Sequence, residues 1–398
     1  MEGSQERIYF DHAATTPLDK DVFEKMRPYY TELFGNADSP HAFGRAAMRA
    51  VDSARDTLAQ LVGAQPNEIY FTSGGTESDN WAILGGAYAQ KEKGRKHVVL
   101  SSIEHHAALS AGERLEKEGF SVTWLPVNER GRVEPSELKR AISEDTGLIC
   151  VMAANNETGV IQPFAECARI ARENGSLFFT DAVQAAPYLP IDVKAWGADL
   201  LSFSAHKFYG PKGVGALYIR RGVKIGRLIA GGEQERGLRG GTVNVPAVAG
   251  LAAAYEKNVK GMAENNARIA ALKKLFLKEI FAKVPAATLN GDGENCLPSI
   301  VNLCFEGIDN AAFLYNMDLH GVAVSAGSAC ASSSVKPSHV LTAMGLDERR
   351  SRSSVRFSFG RDNTEAEIVR GAALTAQIVE NLRGFANRCR LPDFEKRK

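Results

Sequence analysis

The sequence predicts an α/β protein, with a mainly parallel seven-stranded sheet covered by helices on both faces and a smaller α/β domain beside it. Three observations lead there. Short β-branched runs alternate with amphipathic stretches over the first half of the chain, the pattern of strands joined by crossover helices. A long helical stretch then runs from Pro246 to about Phe281, and a second, shorter β/α pattern follows it. Finally, 398 residues exceed what one hydrophobic core usually spans, so two domains are expected.

The strand runs are, in order, EIYFTS, HVVLSS, SVTWLP, GLICVMAA, SLFFTD, DLLSFSA and GALYIR. Helical patterns such as ESDNWAILGGAYAQKEKG and PFAECARIAREN lie between them. The last strand follows its predecessor too closely for a crossover helix, which predicts an antiparallel neighbour. Beyond the long helix, PSIVNLCF, VAVSA and SVRFSFG read as strands of the smaller domain. The expected division is a large domain over residues 15–260 and a small domain built from residues 1–14 and 261–398.

The composition excludes several function classes. Hydrophobic residues make up 44% and charged residues 24%, as in ordinary globular proteins. The 48 basic side chains nearly cancel the 47 acidic ones, leaving no electrostatic footprint for DNA or a membrane surface. No apolar run reaches the length of a membrane span, and the opening MEGSQERIYFDHAATTP lacks the basic start and apolar core of a signal peptide. A cytoplasmic protein is the expectation. The six cysteines form no CxxC pair and have no zinc-ligand spacing with histidine, so no metal site is expected. Cys150 and Cys304 fall in apolar strand runs and Cys167 on a helix, all expected to be buried. Cys330 differs, because SAGSACASSS surrounds it with residues too small to build a core.

In open α/β sheets ligands sit at the carboxyl ends of the strands. After the first strand, Gly74 to Asn80 read GGTESDN, a helix start with exposed N–H donors and a hydroxyl that suits an anion. After later strands come Glu104, His105 and His106; Asn155 and Asn156; Asp181 and Gln184; and Ser204, His206 and Lys207. Each feature alone is accounted for by a helix cap or a snorkelling side chain. Together, a phosphate-binding helix start, an acid and a lysine on neighbouring strand ends match the needs of pyridoxal 5'-phosphate. That cofactor takes a lysine on its aldehyde, a carboxylate on its ring nitrogen and donors on its phosphate.

With these residues in place, the chain resembles the cysteine desulfurases of the NifS/IscS type, in the class-V aminotransferase group of pyridoxal phosphate enzymes (type I, aminotransferase-like fold). The matching stretches are YFDHAATTP, FTSGGTESDN, SIEHHA, NNETG, TDAVQA, SFSAHKFYGPKGVGALY, RGGTVN, SAGSACASSS and SSVRFSFGR, which cover almost the whole chain. The resemblance implies that Lys207 forms the Schiff base, Asp181 partners the ring nitrogen, Gln184 bonds the ring hydroxyl and His105 stacks on the ring. Gly75, Thr76, Ser204 and His206 match the phosphate cradle. Thr242 matches a threonine that reaches the phosphate of a neighbouring subunit, which implies a homodimer. Asn156 and Arg356 match the pair that holds the substrate carboxylate. Cys330 matches the cysteine that takes sulfur from L-cysteine as a persulfide, on a long segment expected to be a flexible arm. A sulfur-acceptor protein, such as an iron–sulfur scaffold, is then the implied partner. SGGTES stands where many relatives have alanine as the second small residue, and the short tail RCRLPDFEKRK leads us to expect none of the longer tail that some relatives use to dock a scaffold.

The chemistry sets a demand. A thiol of pKa about 8.5 is only about 3% ionised at pH 7, so a proton acceptor beside Cys330 is expected, with His105 the candidate. The competing readings are a selenocysteine lyase, an aminotransferase for another amino acid, and a sulfur-transfer scaffold without activity. Cys330 disfavours the first two, and intact Lys207 and Asp181 disfavour the third.

Overall fold

The computed structural model describes residues 7–327 and 337–389. Twelve strands occur among them: β1 (Ile8–Tyr9), β2 (Ile69–Thr72), β3 (His97–Ser101), β4 (Ser121–Leu125), β5 (Thr146–Cys150), β6 (Leu177–Asp181), β7 (Leu200–Ser204), β8 (Gly215–Ile219), β9 (Thr288–Leu289), β10 (Ile300–Cys304), β11 (Val322–Ala323) and β12 (Ser354–Ser358). Seven of them form one sheet in the order β2-β8-β7-β6-β5-β3-β4. Its members are the seven runs read from the sequence. β8 pairs antiparallel with both β7 and β2, and the remaining pairs are parallel. The short link after β7 leaves no room for a crossover helix and forces that antiparallel step.

The central strands β3, β5, β6, β7 and β8 are buried along their whole length, as a sheet covered on both faces requires. One covering layer includes the helix Ala42–Val62, which buries Ala47, Val51, Ala54, Leu58 and Val62 on one stripe and ends on Gly63 in the left-handed conformation. The segment ESDNWAILGGAYAQK is one continuous helical rod, but a π turn over Trp81–Gly85 interrupts it. That turn lets the Trp81 indole donate to Gly226 O at 2.8 Å.

The helix Val245–Lys283 packs against Ala42–Val62 at its start and against Glu365–Cys389 further along. It therefore contributes to two cores: Val248 and Leu251 to that of the large sheet, Leu272 and Phe276 to a second. The second core is covered by the antiparallel sheet β12-β10-β9. VAVSA meets that sheet through one antiparallel bridge, Ser325 opposite Arg356. Its strand β11 pairs in parallel with β1, through Ile8 opposite Val322. β9 is too short to stand out in the sequence. Cys150, Cys167 and Cys304 are buried as free thiols. Among the described residues, no helix is long and apolar enough to cross a membrane.

Candidate active site

The carboxyl ends of β2, β5, β6 and β7 converge on a cavity of about 230 Å³. Gly75 and Thr76 line it from the helix after β2, His105 from the turn after β3, and Asn156 from the loop after β5. Asp181 and Gln184 reach it from β6, and Ser204, His206 and Lys207 from β7. Arg356 enters from β12, in the other sheet.

Lys207 ends a single 3-10 turn, Ala205–Lys207. The chain then passes through Tyr209 with φ at 63°, a left-handed conformation that costs a non-glycine residue about 1–3 kcal/mol. Tyr209 is held there because its N–H donates to Thr16 Oγ1 at 2.9 Å and its hydroxyl accepts from Arg361 N. The Lys207 amine donates to the carbonyls of Ala13 at 2.5 Å and Ala14 at 2.8 Å. The same N-terminal segment is pinned by Thr16, whose N–H and hydroxyl both donate to His206 O at 2.9 Å. Gln184 Nε2 also donates to Ala13 O, at 2.9 Å.

Asp181 is buried and accepts from Val183 N at 2.7 Å. Burial raises its carboxyl to about 6, opposed by the Val183 N–H and the positive charge of Lys207. Two further acids lie beneath it. Asp79 lines the cavity and is raised well above the carboxylate range by burial and by Asp181. Glu104 is raised to about 8 by burial, with one oxygen accepting from Met152 N at 2.7 Å and the other unpartnered.

His105 caps the helix His106–Lys117, with its Nδ1 accepting from Ala107 N at 3.2 Å. The neutral ring therefore carries its proton on Nε2. Burial and the Lys207 charge lower its pKa to about 4, so it is neutral at pH 7. Its free ring atom is thus a donor, whereas the sequence reading cast it as a proton acceptor. His206 is also neutral, lowered to about 3 by burial and by Lys207.

Arg356 is among the most deeply buried large side chains. One terminal nitrogen donates to Asn156 O at 2.8 Å and the other to Asp11 Oδ1 at 2.9 Å, while Nε has no partner. A buried guanidinium with an unused donor, opening on a cavity, suits a carboxylate ligand. Asp11 orients that arginine and was not singled out in the sequence, although it lies within YFDHAATTP. Asp79 was missed too, its acid reading as part of an ordinary helix start.

Other expected residues are placed differently. Asn155 and Glu104 point inward rather than to the rim, and both are buried. Asn155 shapes the turn, accepting from Glu157 N and Thr158 N and donating to Ile103 O. Thr242 is exposed and does not line the cavity. Cys330 and most of its arm lie outside the described residues.

The donor set fits pyridoxal phosphate. A Cβ added at Gly75 would come within 2.9 Å of the Val183 Cγ2 methyl, so the helix start packs closely where it lines the cavity. Thr76, Ser204 and His206 add side-chain donors at that end, and Lys207 and Asp181 supply an amine and a carboxyl.

Fold and site together define a pyridoxal phosphate-dependent enzyme of the aminotransferase type. Residues 8–370 match the family model described as Aminotransferase class-V. The chain is 48% identical over 379 residues to "Cysteine desulfurase IscS" of Methanosarcina thermophila, covering 95% of this chain and 93% of that one. It is 47% identical to "Putative cysteine desulfurase IscS 1" of Bacillus subtilis, covering 95% of this chain and 100% of that one. Among solved structures, a "NifS-like protein" superimposes with a TM-score of 0.89 at 38% identity, over 95% of this chain and 100% of that chain. "SspA in complex with cysteine" does so with a TM-score of 0.79 at 37% identity, over 90% and 100%. The chain belongs to the class-V aminotransferase family, within its NifS/IscS-type cysteine desulfurase branch.

Proposed function

We infer that the protein is a cysteine desulfurase, converting L-cysteine to L-alanine and passing the sulfur to Cys330 as a persulfide. The observation that carries this reading is one cavity holding a lysine amine, a buried acid and a buried arginine with an unused donor. When bound, pyridoxal phosphate supplies an electron sink for the charge left at the substrate Cα. Gly75, Thr76, Ser204 and His206 would hold its phosphate, and Asp181 would partner its ring nitrogen.

The chain's own groups do the rest. Arg356 grips the substrate carboxylate, kept in place by Asn156 O and Asp11. Asn156 lines the cavity beside it. Lys207 takes the proton from the substrate Cα and later returns one, as a general base must from within hydrogen-bond reach. The Cys330 thiolate attacks the substrate sulfur, so that an S–S bond forms as the C–S bond breaks; the electron pair of that bond stays on the substrate carbon, which takes up the proton released by the thiols to become the alanine methyl. His105, neutral and protonated on Nε2, orients by donating a hydrogen bond. The proton acceptor for Cys330 is then another group than His105 Nε2.

The active form is proposed to be a homodimer in the cytoplasm, with Thr242 contributing to the partner's phosphate site. Its exposure on a loop away from the chain's own cavity is consistent with that role. So is the exposed ring pair of Phe34 and Phe43. The sulfur then passes to an acceptor protein, for which an iron–sulfur scaffold is the proposed class. The large domain is taken as residues 15–260, with residues 1–14 and 261–398 forming the small one.

The test is incubation of pure protein with L-cysteine and a thiol reductant, measuring alanine and sulfide together, with L-selenocysteine in parallel. Equal yields of both products from L-cysteine are expected. Replacing Cys330 with alanine should abolish protein-bound persulfide while leaving cofactor absorbance intact. Persistence of that persulfide would refute the role of Cys330.

A further inference from the structure

Behind Asp181 lies a chain of groups with no part in the reaction as described. Asp181 and Ser202 are paired neighbours on β6 and β7. Ser202 Oγ lies 2.6 Å from Asp79 Oδ1 and 3.5 Å from Asp181 Oδ1, and all three residues are buried. A hydroxyl has one proton, so it can donate to only one of two carboxylates. Were both acids ionised, two buried anions would face each other across a single hydroxyl proton.

The charged groups acting on Asp79 are Asp181 and Glu104, both acids, and the Cys150 thiol shares the same surroundings. Lys207 acts on Asp181 instead. The cation therefore selects which acid ionises. Asp181, which feels the charge of the amine and is bonded by the Val183 N–H, becomes the carboxylate. Asp79 keeps its proton.

We propose that Asp79 is a positioning residue: a neutral carboxylic acid that donates to Ser202 Oγ, so that the Ser202 hydroxyl donates to Asp181 and holds it as the carboxylate facing the cofactor ring. This rests on the reading of Asp181 as the ring-nitrogen partner. The 2.6 Å separation lies in the range of an O–H···O bond in either direction, whereas the 3.5 Å from Ser202 to Asp181 makes that second bond a long, weak one. The proposal fixes the direction, from Asp79 to Ser202 to Asp181. An asparagine at position 79 keeps a donor on Ser202 without a titratable proton, and a leucine keeps neither.

The experiment uses holoenzyme of wild type, Asp79→Asn, Asp79→Leu, Ser202→Ala and Asp181→Asn. Infrared difference spectra at pH 7 between wild type and Asp79→Asn should contain the C=O band of a protonated carboxyl, lost in the variant. In addition, the acid midpoint at which the cofactor is released should rise by about half a pH unit in Ser202→Ala, which removes the hydroxyl bonded to the charged form of Asp181, and by less in Asp79→Leu, which keeps that hydroxyl but removes the donor that orients it. Asp79→Asn should leave that midpoint in place, a rescue that loss of packing would not produce. A carboxylate band in place of the protonated one overturns the proposal. So does an Asp79→Asn midpoint that shifts as far as that of Asp79→Leu, or no shift in Asp79→Leu and Ser202→Ala. Asp181→Asn separates the underlying assignment. If it retains wild-type cofactor absorbance and affinity, Asp181 is not the ring partner and the proposal falls with that reading. If it loses them while the Asp79 outcomes fail, only the proposal falls.

Discussion

Replacing Arg356 with lysine keeps the positive charge and removes the fork. In the structure the guanidinium spends one terminal nitrogen on Asn156 O at 2.8 Å and the other on Asp11 at 2.9 Å, and still has Nε and further N–H groups to offer. A lysine ammonium is a point donor that cannot satisfy Asn156, Asp11 and a bidentate carboxylate with one geometry. At this buried position it cannot recruit water to make up the difference. Losing a charge-assisted bond to the substrate should cost about 2–3 kcal/mol. At about 1.4 kcal/mol per tenfold, that is roughly a 30- to 150-fold rise in KM for L-cysteine. The assay is steady-state alanine release at varied L-cysteine, with cofactor absorbance recorded on the same samples. Binding of cysteamine, which has the thiol and amine but no carboxylate, serves as the control and should change little. An unchanged KM for L-cysteine, or an equal loss for cysteamine, would refute the assignment of Arg356 to the carboxylate.

Replacing Lys207 with alanine should abolish the visible absorbance of the protein-bound cofactor and lower turnover by several orders of magnitude; spectra and single-turnover alanine release check both. Glu104 makes a prediction about stability. Its carboxyl is raised from 4.5 to about 8, so the stability it contributes by keeping its proton is fully present below about pH 4.5 and is lost as pH rises through about 8. Urea unfolding of wild type against Glu104→Gln should therefore diverge between pH 5 and 9, wild type losing at most about 5 kcal/mol relative to the variant. Parallel curves would mean that Glu104 is ionised in the folded state.

Much of the architecture was legible because it follows from local pattern. Seven apolar runs became the seven strands of the large sheet, and the short link before β8 fixed its antiparallel direction. The strand-end rule found most of the polar residues that line the cavity, because the carboxyl ends of several strands converge on it. Reading failed where an outcome depended on contacts distant in sequence. The partner of VAVSA, Ile8–Tyr9, lies some 300 residues away in the chain, and no local pattern names it. Asn155 and Asn156 are adjacent and chemically alike, yet one folds inward as a turn and the other lines the cavity.

By itself the sequence determined the class of fold, the order of its strands along the chain and the set of residues that could form the site. Tertiary structure alone decided their protonation and their partners. Asp11 became the anchor of Arg356 because β12 runs beside the N-terminal segment. His105 became a donor because its Nδ1 caps a helix, and Asp79 became the reserve acid behind Asp181 because β6 and β7 place Ser202 between them. The physical reason is common to all three. A side chain's identity limits what it can donate or accept, but its pKa and tautomer depend on burial and on neighbours that only the folded chain brings within a few ångströms.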